Sequence, residues 1–283
     1  MTTMLERCAL AMLGFLVCCG GVAAQSAQPT NDILFRTLMI KYKTEAGTMF
    51  SVEVDDREYW LTAKHILTGR KTWPAGEWTE KTASLDVLDP KGPAISWNPS
   101  DFSVIDPGKD IDIVVLVPKN KIKNVVEIRS LKISSGSFGM GQECSFLGFP
   151  FANTWTATFS DSTQIKMPFI KHCYISGIIQ QPATILVLDG INNFGFSGGP
   201  VLFHTGPEQV VLAVISGVQN EQGEVHSIEV PNTPTTGQAP NTNPTKKKKD
   251  VVDLNTGIIF AFGASVAVDA IKKNPIGRPV ESK

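Results

Sequence analysis

The sequence predicts an all-β barrel or sandwich. Short apolar or alternating runs recur along its length, clusters of Gly, Pro, Asp and Asn separate them, and helical periodicity is scarce. At 283 residues the chain suits one large domain or two small ones, with ample material for a core. Its net charge of −1 removes any bulk electrostatic case for nucleic acid. The histidines, His65, His172, His204 and His226, show no ligand spacing with one another or with cysteines, so no metal or other cofactor is expected.

Met1 to Gln28 reads as a targeting segment. Arg7 supplies a positive charge, Ala9 to Val17 is a nearly unbroken apolar run, and Val22-Ala23-Ala24 offers the small residues a signal peptidase reads. Cleavage after Ala24 is therefore expected, leaving an exported mature chain, periplasmic or secreted, with no membrane segment. That cleavage removes Cys8, Cys18 and Cys19 and leaves Cys144 and Cys173. Export permits a disulfide between those two, and two buried free thiols fit equally well.

Leu34 to Tyr42, Thr48 to Val54 and Glu58 to Ala63 read as strands, with Asp55-Asp56 as a hairpin turn. Asp89-Pro90-Lys91-Gly92-Pro93 and Asp106-Pro107-Gly108 mark loops, and Ile111 to Val117 is a buried-strand run. Pro118 to Lys123 links two halves. Cys144 to Gly148, His172 to Gln180, Thr184 to Leu188, Val201 to Phe203 and Val210 to Val218 continue the pattern. Gln219 to Asp250, rich in Pro, Thr, Asn, Gln and Gly and ending in four lysines, has little to bury and reads as a low-complexity loop insertion. Thr256 to Gly263 is a last strand, and Val266, Val268, Ala270 and Ile271 suggest a short terminal helix.

Chemistry concentrates at Gly195-Phe196-Ser197-Gly198-Gly199-Pro200. Glycines around a serine let the backbone turn sharply and bring the amides of Gly195 and Ser197 against a developing oxyanion. A serine hydroxyl needs a base to take its proton and an acid to orient that base. His65 ends one apolar run, and Asp110 and Asp112 lie at the start of another. Strand alternation would place both acids on one face. The segment also satisfies the nucleophile elbow of α/β-hydrolases. However, Pro200 and Val201-Leu202-Phe203 follow where a helix should begin, and His204 and His226 precede Asp250, Asp253 and Asp269, the reverse of that fold's order.

Three motifs in the order His, Asp, Ser resemble the trypsin-like serine peptidases. Thr62-Ala63-Lys64-His65 is similar to that family's Thr-Ala-x-His, Asp112-Ile113-Val114-Val115-Leu116 to its Asp-Ile-x-x-Leu, and Gly195 to Pro200 to its Gly-x-Ser-Gly-Gly-Pro. Asp189, eight residues before the serine, resembles the bacterial HtrA-like branch. The resemblance implies two six-stranded antiparallel β-barrels with a short C-terminal helix across residues 32–273, the first barrel over about 32–126 and the second over about 127–273. It implies His65, Asp112 and Ser197 as the catalytic set, an oxyanion hole from Gly195 and Ser197, and substrate binding along Ser216 and Gly217. It favours Asp112 over Asp110.

By the same resemblance, Phe196 stands where many animal enzymes carry an acid that pairs with a newly cut N-terminus. The base of the primary specificity pocket falls near Ile191, with no acid to demand a basic residue. After the helix, Asn274 to Lys283 leave no room for the PDZ domain common in the HtrA-like branch. The implied activity is an exported serine endopeptidase acting on protein or peptide substrates. A catalytically silent or gated binding protein on the same fold is the alternative, since fold alone does not guarantee activity and the Gln219 to Asp250 loop could occlude the site.

Overall fold

The computed structural model describes residues 29–70, 74–134, 137–180, 183–205, 208–226 and 249–280. The leader expected over residues 1–24 lies outside them. The chain opens with helix α1 (Asn31–Phe35), then β1 (Thr37–Tyr42), β2 (Glu45–Val54), β3 (Arg57–Thr62), the one-turn helix α2 (His65–Thr68), β4 (Thr82–Leu88), β5 (Trp97–Ile105) and β6 (Val114–Pro118). Each of these six strands pairs antiparallel with two others in the ring β1-β2-β3-β6-β5-β4, which closes a barrel.

After a connection carrying β7 (Leu131–Lys132) come β8 (Glu143–Gly148), the small hairpin β9 (Trp155–Thr158) and β10 (Gln164–Met167), then β11 (Phe169–Ile179), β12 (Ile185–Asp189), β13 (Pro200–Thr205), β14 (Glu208–His226) and β15 (Lys249–Gly263). Strands β11-β12-β15-β14-β13-β8 form a second closed six-stranded barrel. Helix α3 (Ser265–Lys273) follows, and β16 (Arg278–Pro279) returns to pair with β3 of the first barrel.

Side-chain alternation explains how two barrels share one chain. In β6, Val114 and Leu116 join the first barrel's interior, while Val115 and Val117 face the apolar layer that both barrels contribute to. Both faces are covered, so the strand is an unbroken apolar run. In β8, Phe146 points into the second barrel and Leu147 into the shared layer. Strand β4 shows the other case, with Ala83, Leu85 and Val87 inward and exposed residues between.

The turns follow local chemistry. Asp55 and Asp56 adopt φ of 49° and 55°, and Val54 pairs with Arg57, the geometry of a two-residue hairpin whose twist matches its strands. Gly69, at φ 72°, closes α2.

Several expectations need correction. Leu34 and Phe35 are helical rather than strand. Asp32 sits in the first turn of α1, Ile33 is fully buried in the shared layer, and the Thr37 hydroxyl donates to Ile33 O at 2.7 Å. Residues Gln219 to His226 and Lys249 to Asp250 are not loop, because β14 and β15 continue past the barrel as a paired ribbon from Asn220↔Asn255 to His226↔Lys249. Residues 227–248 of that insertion lie outside the described residues. The buried face of α3 is Ala267 and Ile271, one turn apart, with Val266, Val268 and Ala270 only partly covered. Cys144 and Cys173 are cross-strand neighbours in β8 and β11, and both are free buried thiols.

Candidate active site

The site lies where loops from the two barrels meet. His65 is not a strand residue but the first residue of α2, and the residue before it is anchored. Lys64 is fully buried, with Nζ 2.7 Å from Asp106 Oδ1 and donating to Gly108 O at 2.5 Å. Asp106 also accepts from the amides of Gly108 and Trp78 at 2.8 and 2.7 Å. This knot ties the start of α2 to the segment that leads into Asp112.

Asp112 precedes β6 rather than lying in it, and alternation, which puts both acids on one face, does not choose between it and Asp110. Geometry does. The Asp112 carboxylate, 3% exposed, accepts from the His65 amide at 2.8 Å through Oδ1, and its Oδ2 lies 2.7 Å from His65 Nδ1. An ionised carboxylate only accepts, so the imidazole proton sits on Nδ1 and leaves Nε2 as an acceptor. A third donor, the Ser216 hydroxyl, reaches Oδ2 at 2.5 Å. Ser216 occupies a β-bulge between Ile215 and Gly217, and the extra residue turns this side chain onto the acid.

The Ser197 turn is built from close backbone approaches. Gly198 N donates to Ile215 O at 2.8 Å, Ile215 N to Gly199 O at 2.9 Å, and Thr48 N to Ser197 O at 2.8 Å. The Thr48 hydroxyl donates to Gly195 O at 2.7 Å, stitching the first barrel to the turn. Gly195 and Gly198 have φ of 100° and 83°, and a Cβ on Gly198 would stand 2.1 Å from Thr48 O. Only glycine fits there. Phe196 is fully buried, its ring 5.1 Å from that of Phe146 at 71°.

These bonds leave the N–H groups of Gly195 and Ser197 without a protein acceptor among the described residues. The Ser197 hydroxyl donates to Ser216 O at 3.5 Å, and no hydrogen bond joins it to His65 among the described residues. Ser216 therefore bridges the acid and the serine, through its side chain and its carbonyl respectively. The backbone at Gly217 is open, with nothing within 4 Å of a Cβ placed on it.

Ile191 is largely exposed rather than set at the base of a pocket, while Asn192 is buried, its carbonyl accepting from the Asn255 side chain. Phe194 and Phe151 are both largely exposed, with Phe151 N donating to Phe194 O at 2.7 Å. The described residues hold no group of acids, histidines and cysteines suited to a metal ion, and no helix long and apolar enough to cross a membrane. Thr48, Lys171 and Asn193 belong to the site's surroundings and carry no motif by which sequence could single them out.

The chain is similar to an HtrA-type protease, AlgW with a tripeptide, at a TM-score of 0.50 and 14% identity, over 86% of this chain and 60% of that one. The fold is the trypsin-like double β-barrel. The active form of the Rv3671c protease from M. tuberculosis aligns at a TM-score of 0.48 and 15% identity over 90% of this chain and 91% of that one. The protease Anisep from Arthrobacter nicotinovorans gives 0.47 and 13% over 85% and 97%. No protein-family model and no curated protein sequence matches the chain.

Proposed function

We propose that the chain is an exported serine endopeptidase. The observation that supports it most is the His65–Asp112 hydrogen bond, with the Ser197 hydroxyl connected to the same acid through Ser216 and with two amides left uncommitted. In this reading Ser197 Oγ swings from Ser216 O to His65 Nε2, gives up its proton there and attacks the substrate carbonyl. Asp112 stabilises the imidazolium so formed. The amides of Gly195 and Ser197 hold the oxyanion, each such donor contributing about 3 kcal/mol to the transition state. Collapse passes the proton from His65 to the leaving amine, and water, deprotonated by the same His65, frees the acyl group. The backbone at Ser216 and Gly217 offers an extended substrate a strand to lie against. Export rests on Arg7, the apolar run from Ala9 and Val22-Ala23-Ala24.

A mature chain starting at Gln25, incubated with a diverse peptide mixture, is expected to cut at defined positions, and Ser197→Ala is expected to abolish every cut. Cleavage that survives Ser197→Ala refutes this reading. A second reading, a silent binding protein, is favoured by one observation, the Ser197 hydroxyl bonded to Ser216 O and not to His65. Peptides bound but never cut by the wild-type chain would select it.

A further inference from the structure

The two amides of the proposed oxyanion hole are carried by residues 191–197, a segment with no regular secondary structure. Besides the bonds from Asn255 to Asn192 O and from Phe151 N to Phe194 O, one ammonium contacts it at three points. Lys171 on β11 donates from Nζ to Ile191 O at 2.7 Å and to Asn193 Oδ1 at 2.7 Å. The same nitrogen lies 5.2 Å from the centroid of the Phe196 ring. Lys171 is also the cross-strand partner of Phe146, whose ring packs against Phe196. Three of the residues flanking Gly195 thus meet at one charge.

Among the described residues Lys171 forms no ion pair with a carboxylate, and partial burial pulls its pKa below the ordinary lysine value. A cation that touches a carbonyl, an amide oxygen and an aromatic face links those three groups, with the Asn193 contact part-buried and the Ile191 contact exposed. Asn193 is the hinge of the arrangement. Its side chain accepts from Lys171, and its carbonyl accepts from Phe196 N at 3.3 Å across the tight turn that contains Gly195.

We propose that Lys171 is a positioning residue that holds the 191–196 turn so that the Gly195 and Ser197 N–H groups face the substrate carbonyl oxygen. The ammonium belongs to a side chain and is present from synthesis, so the turn is set without cleavage of the chain. This inference rests on the serine endopeptidase reading and names what prepares its oxyanion hole.

The test compares the mature wild-type chain with Lys171→Met, Lys171→Arg and Asn193→Ala. Four quantities are read: kcat, KM, affinity for a peptide aldehyde that forms an oxyanion on Ser197, and Tm. Methionine keeps an apolar stem over Phe196, so Tm should stay close to wild type. Lys171→Met should lower kcat and aldehyde affinity together by about 10²-fold, the loss of roughly one oxyanion donor, with KM nearly unchanged. Lys171→Arg should restore most of that loss, and Asn193→Ala should reproduce it in part. A folded Lys171→Met chain with wild-type kcat and aldehyde affinity overturns the inference, as does a loss confined to Tm. Wild-type protein whose Ser197 takes no fluorophosphonate overturns the endopeptidase reading and this inference with it. Labelling of the wild type together with an unaffected Lys171→Met chain removes the inference alone.

Discussion

Replacing Asp112 with asparagine isolates the carboxylate's charge from its shape. The carboxylate takes three donors, the His65 amide at 2.8 Å, His65 Nδ1 at 2.7 Å and the Ser216 hydroxyl at 2.5 Å. An amide has one oxygen. It can keep the His65 backbone bond, but its NH2 then faces Nδ1 and turns that nitrogen into an acceptor. The imidazole proton moves to Nε2, where it blocks transfer from Ser197. Two charge-assisted bonds are lost and a weaker one is formed, a stability cost of about 2–5 kcal/mol. The wrong tautomer is expected to lower kcat by about 10⁴, close to 5 kcal/mol of barrier. Peptide cleavage and fluorophosphonate inactivation rates would be read beside thermal unfolding, with Asp110→Asn as a control expected to retain most activity. Adding Asp112→Asn to Ser197→Ala should cost little more than Ser197→Ala alone, because the three residues act as a unit. A folded Asp112→Asn chain within tenfold of wild-type kcat would refute the reasoning.

Three further outcomes follow from the packing. Gly198→Ala places a Cβ 2.1 Å from Thr48 O at a φ of +83°, so Tm should fall sharply and Ser197 labelling should cease; near-wild-type Tm contradicts this. Lys64→Met leaves Asp106 without its buried cation, at about 3 kcal/mol, which for a chain of this size is roughly 6–12 °C in Tm by calorimetry. Burial pushes the Cys144 thiol from 9.0 up to about 12 and raises Cys173 as well, so neither should alkylate in the native state near neutral pH, while both should in denaturant. The unfolded chain releases these protons first. Their contribution to stability is therefore complete below pH 9.0 and is lost as pH climbs towards 12, which urea midpoints of the wild type and a Cys144→Ala, Cys173→Ala chain would show.

What could be read before the structure was what repeats locally. Strand periodicity, the Asp55-Asp56 turn and the glycines around Ser197 each act over a few residues, and they carried the all-β architecture. The motif Asp-Ile-x-x-Leu favoured Asp112, but strand alternation could not, since it puts residues 110 and 112 on one face; what singles out Asp112 is its contact with His65 and Ser216. Ser216 was legible only as part of a substrate-facing strand. A bulge sets its side-chain direction, and nothing in Ile215-Ser216-Gly217 announces one. Leu34 and Phe35 were misread because so short an apolar run fits a strand or a helix equally. The ribbon from Gln219 was hidden by its polar composition, because beyond the barrel, among the described residues, its two strands pair with each other. Lys171 meets residues about twenty positions away, a contact that no pattern along the chain encodes.

The central claim is that Ser197 is a nucleophile activated by His65. Its most direct test is labelling of the mature chain with a fluorophosphonate, read by intact and peptide mass, beside Ser197→Ala and His65→Ala. One adduct on Ser197 that disappears in both variants is the expected result. A well-folded wild-type chain that takes no adduct, or one labelled equally in His65→Ala, would contradict it.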